Sequence, residues 1–408
     1  MAGPLAKRSG YLAMDMTDRP APRTRGGSPL RVSWFELFYD LVIVASFAHT
    51  GHLIVNDLSG DRLTMVLGVW LVSTFLVTFA LWFATSTAVN IAPGTVTLRK
   101  TLMFVQMFAV TVANLALSRS DGLPDDWGFA GLSMAFGTVM AIYAITGQRR
   151  PDLKAAVSPW IWSSAAAVIV LAVGIVIPDE WENAEIVAFG LASALAIVPI
   201  LLVGIPRLCR MNLVEPEHLA ERVGQLVIIV IGESFLGLVL ALSGFDYVPG
   251  PIFFILTFLV AGSLWAIYFS SVYPMGIPLT PGRLELWLLG VVVFLIGVSY
   301  IAEMLAAYSV VEWAQQSITR SFVPLAALYC LVGALLLGWI GGAARDIAYA
   351  RIHLAAIGLL GILWIGLVLI GSPANLLLLA AALTVVADGL ACIALQRRMS
   401  DREISTAE

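Results

Sequence analysis

Glu36 and Asp40 stand four residues apart at the start of the first long apolar stretch, S-W-F-E-L-F-Y-D-L-V-I-V-A-S-F-A-H-T-G-H, from Ser33 to His52. On a helix that spacing puts both carboxylates on one face, about 6 Å apart along the axis. Glu233, followed by Ser234, interrupts a second apolar stretch, E-R-V-G-Q-L-V-I-I-V-I-G-E-S-F-L, from Glu221 to Leu236. An ionised carboxylate facing lipid costs at least about 2.5 kcal/mol, so Asp40 and Glu233 are expected to turn inward, where they are paired, protonated or wetted by a cavity. The chemistry open to such acids is to bind and release a cation or a proton. Asp40, Glu233, Glu36 and Ser234 are therefore the candidate ion or proton path. Glu221 and Arg222, at the mouth of the second stretch, are expected to pair, with Glu36 as another partner for Arg222. A plainer role stays open for each acid, that of hydrogen-bonding neighbouring helices. It weighs most for Glu36, which is near water, and for Asp388, which stands alone late in the chain.

Other chemistries find less support. His49 and His52, three apart at the far end of the first stretch, could hold a metal or relay protons, but no third ligand completes a set there. They read as an interfacial hydrogen-bonding pair. Haem ligation would need a second deep histidine on a facing helix, and His353 sits too near the membrane face. The three cysteines, Cys209, Cys330 and Cys392, are scattered and read as small apolar residues or free thiols. Phosphate-loop, nucleophile-elbow and zincin motifs are not found. No metal, no cofactor and no catalytic activity is expected. A net charge of -4 also leaves no nucleic-acid footprint.

The elements that must position these acids follow from composition. The 408 residues are 60% hydrophobic and 12% charged, more apolar surface than a soluble fold can hide. Apolar windows near the length a bilayer requires fall at 33–55, 64–84, 100–118, 128–147, 155–177 and 184–205. They resume at 222–243, 251–272, 284–306, 321–340, 352–371 and 374–395. Leu, Ala and Val dominate without alternation, so these are helices, which satisfy their own backbone in lipid. The glycines at 333, 338, 341 and 342, and at 358, 361 and 366, read as small-residue packing surfaces. Gly232 reads as a point of close helix contact or local unwinding beside Glu233.

The halves echo each other. Shifted by 185 positions, Glu36 falls on Glu221, and Leu41-Val42-Ile43 on Leu226-Val227-Ile228, while Ala80-Leu81-Trp82 meets Ser263-Leu264-Trp265 at a slightly shorter offset. The expected fold is an all-α polytopic membrane protein of about 12 transmembrane helices in two parallel six-helix repeats. Residues 1–32 are expected as a disordered basic cytosolic tail and 33–205 as the first repeat. A cytosolic linker over 206–221, the second repeat over 222–395 and a cytosolic tail over 396–408 complete the chain. All but three of the 23 Lys and Arg residues lie on the side of the termini, which puts both termini in the cytosol by the positive-inside rule.

At its acidic stretches the chain resembles the bacterial low temperature requirement A family of integral membrane proteins. The family's opening E-L-F-F-D-L-V-F-V stands here as Glu36-Leu37-Phe38-Tyr39-Asp40-Leu41-Val42-Ile43-Val44. Its second-half motif stands as Glu221-Arg222-Val223, Ile228-Ile229 and Ile231-Gly232-Glu233-Ser234. The stretch from Arg99 to Met107 also matches. The family's charged N-R-x-D-T-D-D stretch is replaced here by Asn90 followed by Ile91-Ala92-Pro93-Gly94-Thr95-Val96-Thr97. The resemblance implies a multi-pass protein of the bacterial cytoplasmic membrane. The family is named for a growth phenotype, so it fixes class and not reaction. Two functions remain. One is transport or binding of a cation or proton, or of a proton-coupled solute, along the carboxylate path. The other is a non-transporting membrane protein that is structural or binds lipid or another protein, with an intramembrane enzyme a distant third.

Overall fold

The computed structural model describes residues 32–59, 65–91, 96–119, 126–177, 181–243, 251–310, 327–328, 330–335, 337, 347–371 and 374–407. Among these residues every regular element is helical. Among the described residues twelve α-helices have defined bounds: α1 (Trp34–Ser59), α2 (Met65–Ile91), α3 (Val96–Arg119), α4 (Asp126–Arg149), α5 (Lys154–Gly174), α6 (Glu182–Pro199), α7 (Ile205–Arg210), α8 (Pro216–Ser243), α9 (Pro251–Ile267), α10 (Arg283–Val310), α11 (Ile347–Leu369) and α12 (Ala374–Ala407). Among the described residues, eight helical stretches are long and apolar enough to cross a membrane. They leave out α1, α3 and α8, which have 26, 24 and 28 residues but carry the polar groups that matter below. The window at 321–340 falls largely outside the described residues.

Helices extend into the expected linker and the expected terminal tail. Of the stretch 206–221 expected as a linker, only 211–215 lies outside helices, because α7 continues α6 and α8 begins at Pro216. The tail expected from 396 is helical through Ala407, as α12 runs on for 34 residues.

Two helices change pitch just before a proline. α6 passes into a π-turn over Ile200–Gly204, and α9 into another over Tyr268–Val272. Proline offers no N–H to the ladder. In both cases the residue ahead of it takes the wider bond, Ile205 N to Ile200 O before Pro206 and Tyr273 N to Tyr268 O before Pro274.

Large aromatic side chains fill the interior. Trp82, Trp160, Tyr39, Tyr143 and Phe189 are fully buried. Tyr143 stacks on Trp160 at 5.0 Å between ring centroids and donates its hydroxyl to the Ala84 carbonyl at 2.8 Å. Helices also meet at glycine. A Cβ on Gly131 of α4 would stand 2.7 Å from the Ala109 carbonyl oxygen of α3, and one on Gly333 would stand 2.5 Å from the Phe294 nitrogen of α10. Gly358, Gly361, Gly366 and Gly232 do not behave as expected, since a Cβ on any of them meets nothing within 4 Å. Those four face outward from the described residues.

Neighbour relations place the rest. α1 packs on α2, α3, α8 and α10, and α8 packs on α9 and α10. α2 lies on α6 and α9 on α12, while α6 also meets α5 and α12 meets α11. Leu354, Ile362, Ile365 and Leu369 of α11 are exposed apolar residues, as a lipid-facing helix requires.

Candidate functional site

The site begins with how α1 starts. The Ser33 hydroxyl accepts from the Glu36 backbone N–H at 3.3 Å, and the Glu36 carboxylate accepts from the Ser33 N–H at 3.1 Å. That reciprocal capping box satisfies two of the N–H groups a helix start leaves open. It also fixes the orientation of Glu36, so that Oε2 faces Nη1 of Arg222 at 3.7 Å.

One turn further in, Asp40 is completely buried. Its Oδ1 accepts from Nη2 of Arg222 at 2.6 Å and from Nε1 of Trp82 at 2.8 Å. The same Nη2 of Arg222 donates to the Ser86 hydroxyl at 3.0 Å, and its guanidinium stands 5.9 Å from the centre of a Trp82 ring. Three helices thus converge on one charge pair: α1 brings Asp40, α2 brings Trp82 and Ser86, and α8 brings Arg222. Asp40 and Arg222 each lie six residues into their helix, about 9 Å by helix rise, so they meet at matching depth. Among the described residues, Asp40 Oδ2 and Arg222 Nε have no hydrogen-bond partner.

A polar belt continues across α2 to α3. Thr85 donates to Oε1 of Gln106 at 3.0 Å, and the Tyr39 hydroxyl reaches the Leu81 carbonyl at 3.4 Å. Deeper in the bundle, Nδ2 of Asn114 on α3 donates to the Ser46 hydroxyl on α1 at 2.7 Å. On the other side, Arg99 of α3 interacts with the Glu36 carboxylate, and the Lys100 ammonium stands 5.8 Å from the centre of the Phe35 ring. The starts of α1 and α3 and the first turns of α8 therefore share one basic end of the bundle. Arg207 of α7 donates to the Ala155 carbonyl near the start of α5 at 2.9 Å. Arg150, between α4 and α5, holds Asp152 at 2.7 Å, and that carboxylate raises the guanidinium above its ordinary range.

The structure brings some of the expected residues together and separates others. Asp40, Glu36 and Arg222 form one cluster. Glu221 and Arg222 are not at a helix mouth as the sequence suggested, because α8 starts at Pro216 and carries Arg222 inside. Arg222 turns to Asp40 rather than to Glu221, and Glu221 is half-buried. Glu233 is half-buried and lies eleven residues beyond Arg222, about 16 Å further along the helix. Ser234, His49 and His52 lie within helices, but their side chains fall outside the described set. Asp388 is not solitary, since Nδ1 of His353 lies 2.8 Å from its Oδ2 with both residues buried.

Sequence reasoning missed Trp82 as a partner of Asp40 and Ser86 as a partner of Arg222. A signal for both exists, because a tryptophan followed by Thr85, Ser86 and Thr87 is an unusual polar run inside an apolar helix.

The family model for the bacterial low temperature requirement A protein matches residues 31–388. No curated protein and no solved structure matches the chain.

Proposed function

The chain belongs to the bacterial low temperature requirement A family, and from that premise we propose a multi-pass membrane transport protein that moves a cation, a proton or a proton-coupled solute. The observation that carries this reading is the buried Asp40–Arg222 pair, which joins the helices that open the two halves of the chain. Removing one partner of such a pair costs about 3–5 kcal/mol, because the other charge is left buried and alone. A proton arriving at the unpartnered Oδ2 would do the same thing reversibly. It would cancel the Asp40 charge, loosen Arg222 and let α1 and α8 part. A joint with two states of this kind is what a proton-coupled carrier needs. Glu233, deeper on α8, would be the next acid along the path, and Ser234 beside it a neutral ligand.

Two parallel six-helix repeats, twelve spans in all, fit the recurring neighbours. α1 with α2 and α3 is matched by α8 with α9 and α10, and α2 on α6 by α9 on α12. Membership of the family supports residence in the bacterial cytoplasmic membrane, and the basic residues gathered at one end of the bundle support termini in the cytosol.

A non-transporting role is favoured by one fact. Arg222 and Trp82 already satisfy Oδ1 of Asp40, which leaves the acid less free for a cargo ion. Flux in proteoliposomes, across a panel of ions and with imposed pH gradients, separates the two. The variants are Glu233→Gln and the paired Asp40→Asn/Arg222→Gln, which removes both charges together. Transport predicts flux in the parent chain and loss of its pH response in both variants. A parent chain silent across the panel supports the structural role, and flux unchanged in both variants removes the carboxylates from the path.

A further inference from the structure

A second buried cluster of ligand-type side chains lies away from Asp40. His353 projects from α11, and Asp388 and Cys392 project from successive turns of α12. All three are within 2% of full burial. One ring nitrogen of His353, one carboxylate oxygen of Asp388 and Sγ of Cys392 lie within 4.8 Å of one another. Nδ1 of His353 is 2.8 and 3.1 Å from the two Asp388 oxygens, and among the described residues its Nε2 has no hydrogen-bond partner. The fourth side is walled by Ser271, whose hydroxyl interacts with Cys392 and donates to the Ile267 carbonyl. Ser271 lies in the π-turn over Tyr268–Val272, a distortion that recurs at functional sites.

We propose that His353, Asp388 and Cys392 form an intramembrane binding site for a borderline transition-metal dication, with Zn2+ the ion that best suits the donors. Metal–ligand bonds to nitrogen, oxygen and sulfur are about 2.0–2.3 Å, so donors this close can converge on one ion with small side-chain adjustment. The donor set selects the metal. Ca2+ and Mg2+ take oxygen alone, whereas a thiolate with an imidazole and a carboxylate suits zinc. Charge points the same way. A thiolate and a carboxylate neutralise a dication, so the filled site buries no net charge in an apolar interior. Binding requires Cys392 to give up its proton, which leaves for solvent as the metal enters. Three protein ligands leave a fourth position for the Ser271 hydroxyl or for water. This site is independent of the Asp40–Arg222 pair and does not rest on the transport reading.

The test uses the full chain, purified in detergent with a reductant, stripped of metal and titrated with Co2+. One equivalent should produce a near-ultraviolet thiolate-to-cobalt band that Zn2+ abolishes and Mg2+ leaves alone. Cys392→Ser should lose the band, while the double variant Cys209→Ser/Cys330→Ser keeps it. His353→Ala and Asp388→Asn should weaken binding by more than about tenfold, the lower end of what disturbing even an outer partner of a metal ligand costs. A parent chain without the band, or a band that survives Cys392→Ser, overturns the site. Should Cys392→Ser fail to fold, the Cys209→Ser/Cys330→Ser chain decides alone, with Cys392 its one thiol. Zn2+ should then slow alkylation of that thiol by a membrane-permeant reagent, and an unchanged rate overturns the proposal.

Discussion

The Asp40–Arg222 pair is worth most as a pair. Arg222→Gln leaves Asp40 buried without its counter-charge and should lower stability by about 3–5 kcal/mol, whereas Asp40→Asn leaves Arg222 facing Glu36 at 3.7 Å and should lower it by less. Asp40→Asn/Arg222→Gln should recover much of that loss, so thermal unfolding in detergent should show strong coupling in a double-mutant cycle. Additive losses would mean the two charges are solvated separately. Arg222→Lys should not rescue, because one guanidinium reaches Asp40 and Ser86 and covers the Trp82 ring at once, which a point charge cannot do. Trp82→Phe keeps the ring and removes the N–H to Asp40, a hydrogen bond to a charged group worth about 1.5–3 kcal/mol. Its midpoint should fall by less than that of Asp40→Asn, and an equal or larger fall would assign Trp82's role to packing. At this scale the acids were legible, since a carboxylate in an apolar run announces its cost. Arg222 as a partner of Glu36 was legible too, but its closer pairing with Asp40 was not, because Arg222 lies 182 positions from Asp40 and helix start positions decide whether the two meet.

Helices were the most legible elements, since uniform apolar runs leave few alternatives in lipid. Their mutual contacts were less so. The glycine-rich runs in the last third of the chain looked alike in sequence, yet Gly333 backs directly onto the Phe294 backbone while a Cβ on Gly358, Gly361 or Gly366 meets nothing within 4 Å among the described residues. Which face of a helix meets protein depends on neighbours that spacing alone does not reveal. Gly333→Ala and Gly131→Ala should each destabilise by about 1–3 kcal/mol through overpacking. Gly361→Ala, in open space on α11, should be neutral or stabilise by about 0.5–1 kcal/mol as the helix gains a better former. Thermal unfolding of the three variants checks this, and an equal loss at Gly361 would show that α11 is covered by something beyond the described residues. The π-turns ahead of Pro206 and Pro274 carry a sequence signal too, a proline late in an apolar helix. What the proline does to the ladder is set by whether the helix continues, and both do, by one wider turn.

For the molecule as a whole, the charges that set orientation are also the ones that tie helix ends together. Lys100 over Phe35, Arg222 against Asp40 and Glu36, and Arg207 on Ala155 join the starts of α1, α3, α5 and α8 and the end of α7. Those ends face the same compartment, and the positive-inside rule predicts that it is the cytosol. α4 ends and α5 starts around Arg150, and α12 carries Arg397 and Arg398 near its end, so these positions should be cytosolic as well. Glu182 opens α6, whose continuation reaches Arg210, and it should therefore face the other side. The native thiols at 209, 330 and 392 are buried, which leaves a low background for labelling. In intact cells, an impermeant maleimide should modify Glu182→Cys and leave Arg150→Cys and Arg398→Cys untouched until the membrane is opened. The reverse pattern would turn the protein over and put the Asp40–Arg222 joint at the outer face. Labelling of Arg150→Cys and Glu182→Cys from the same side would break the crossing order itself, since only α5 stands between them. With it would fall the parallel arrangement of halves, which needs an even number of crossings before α8 enters the membrane.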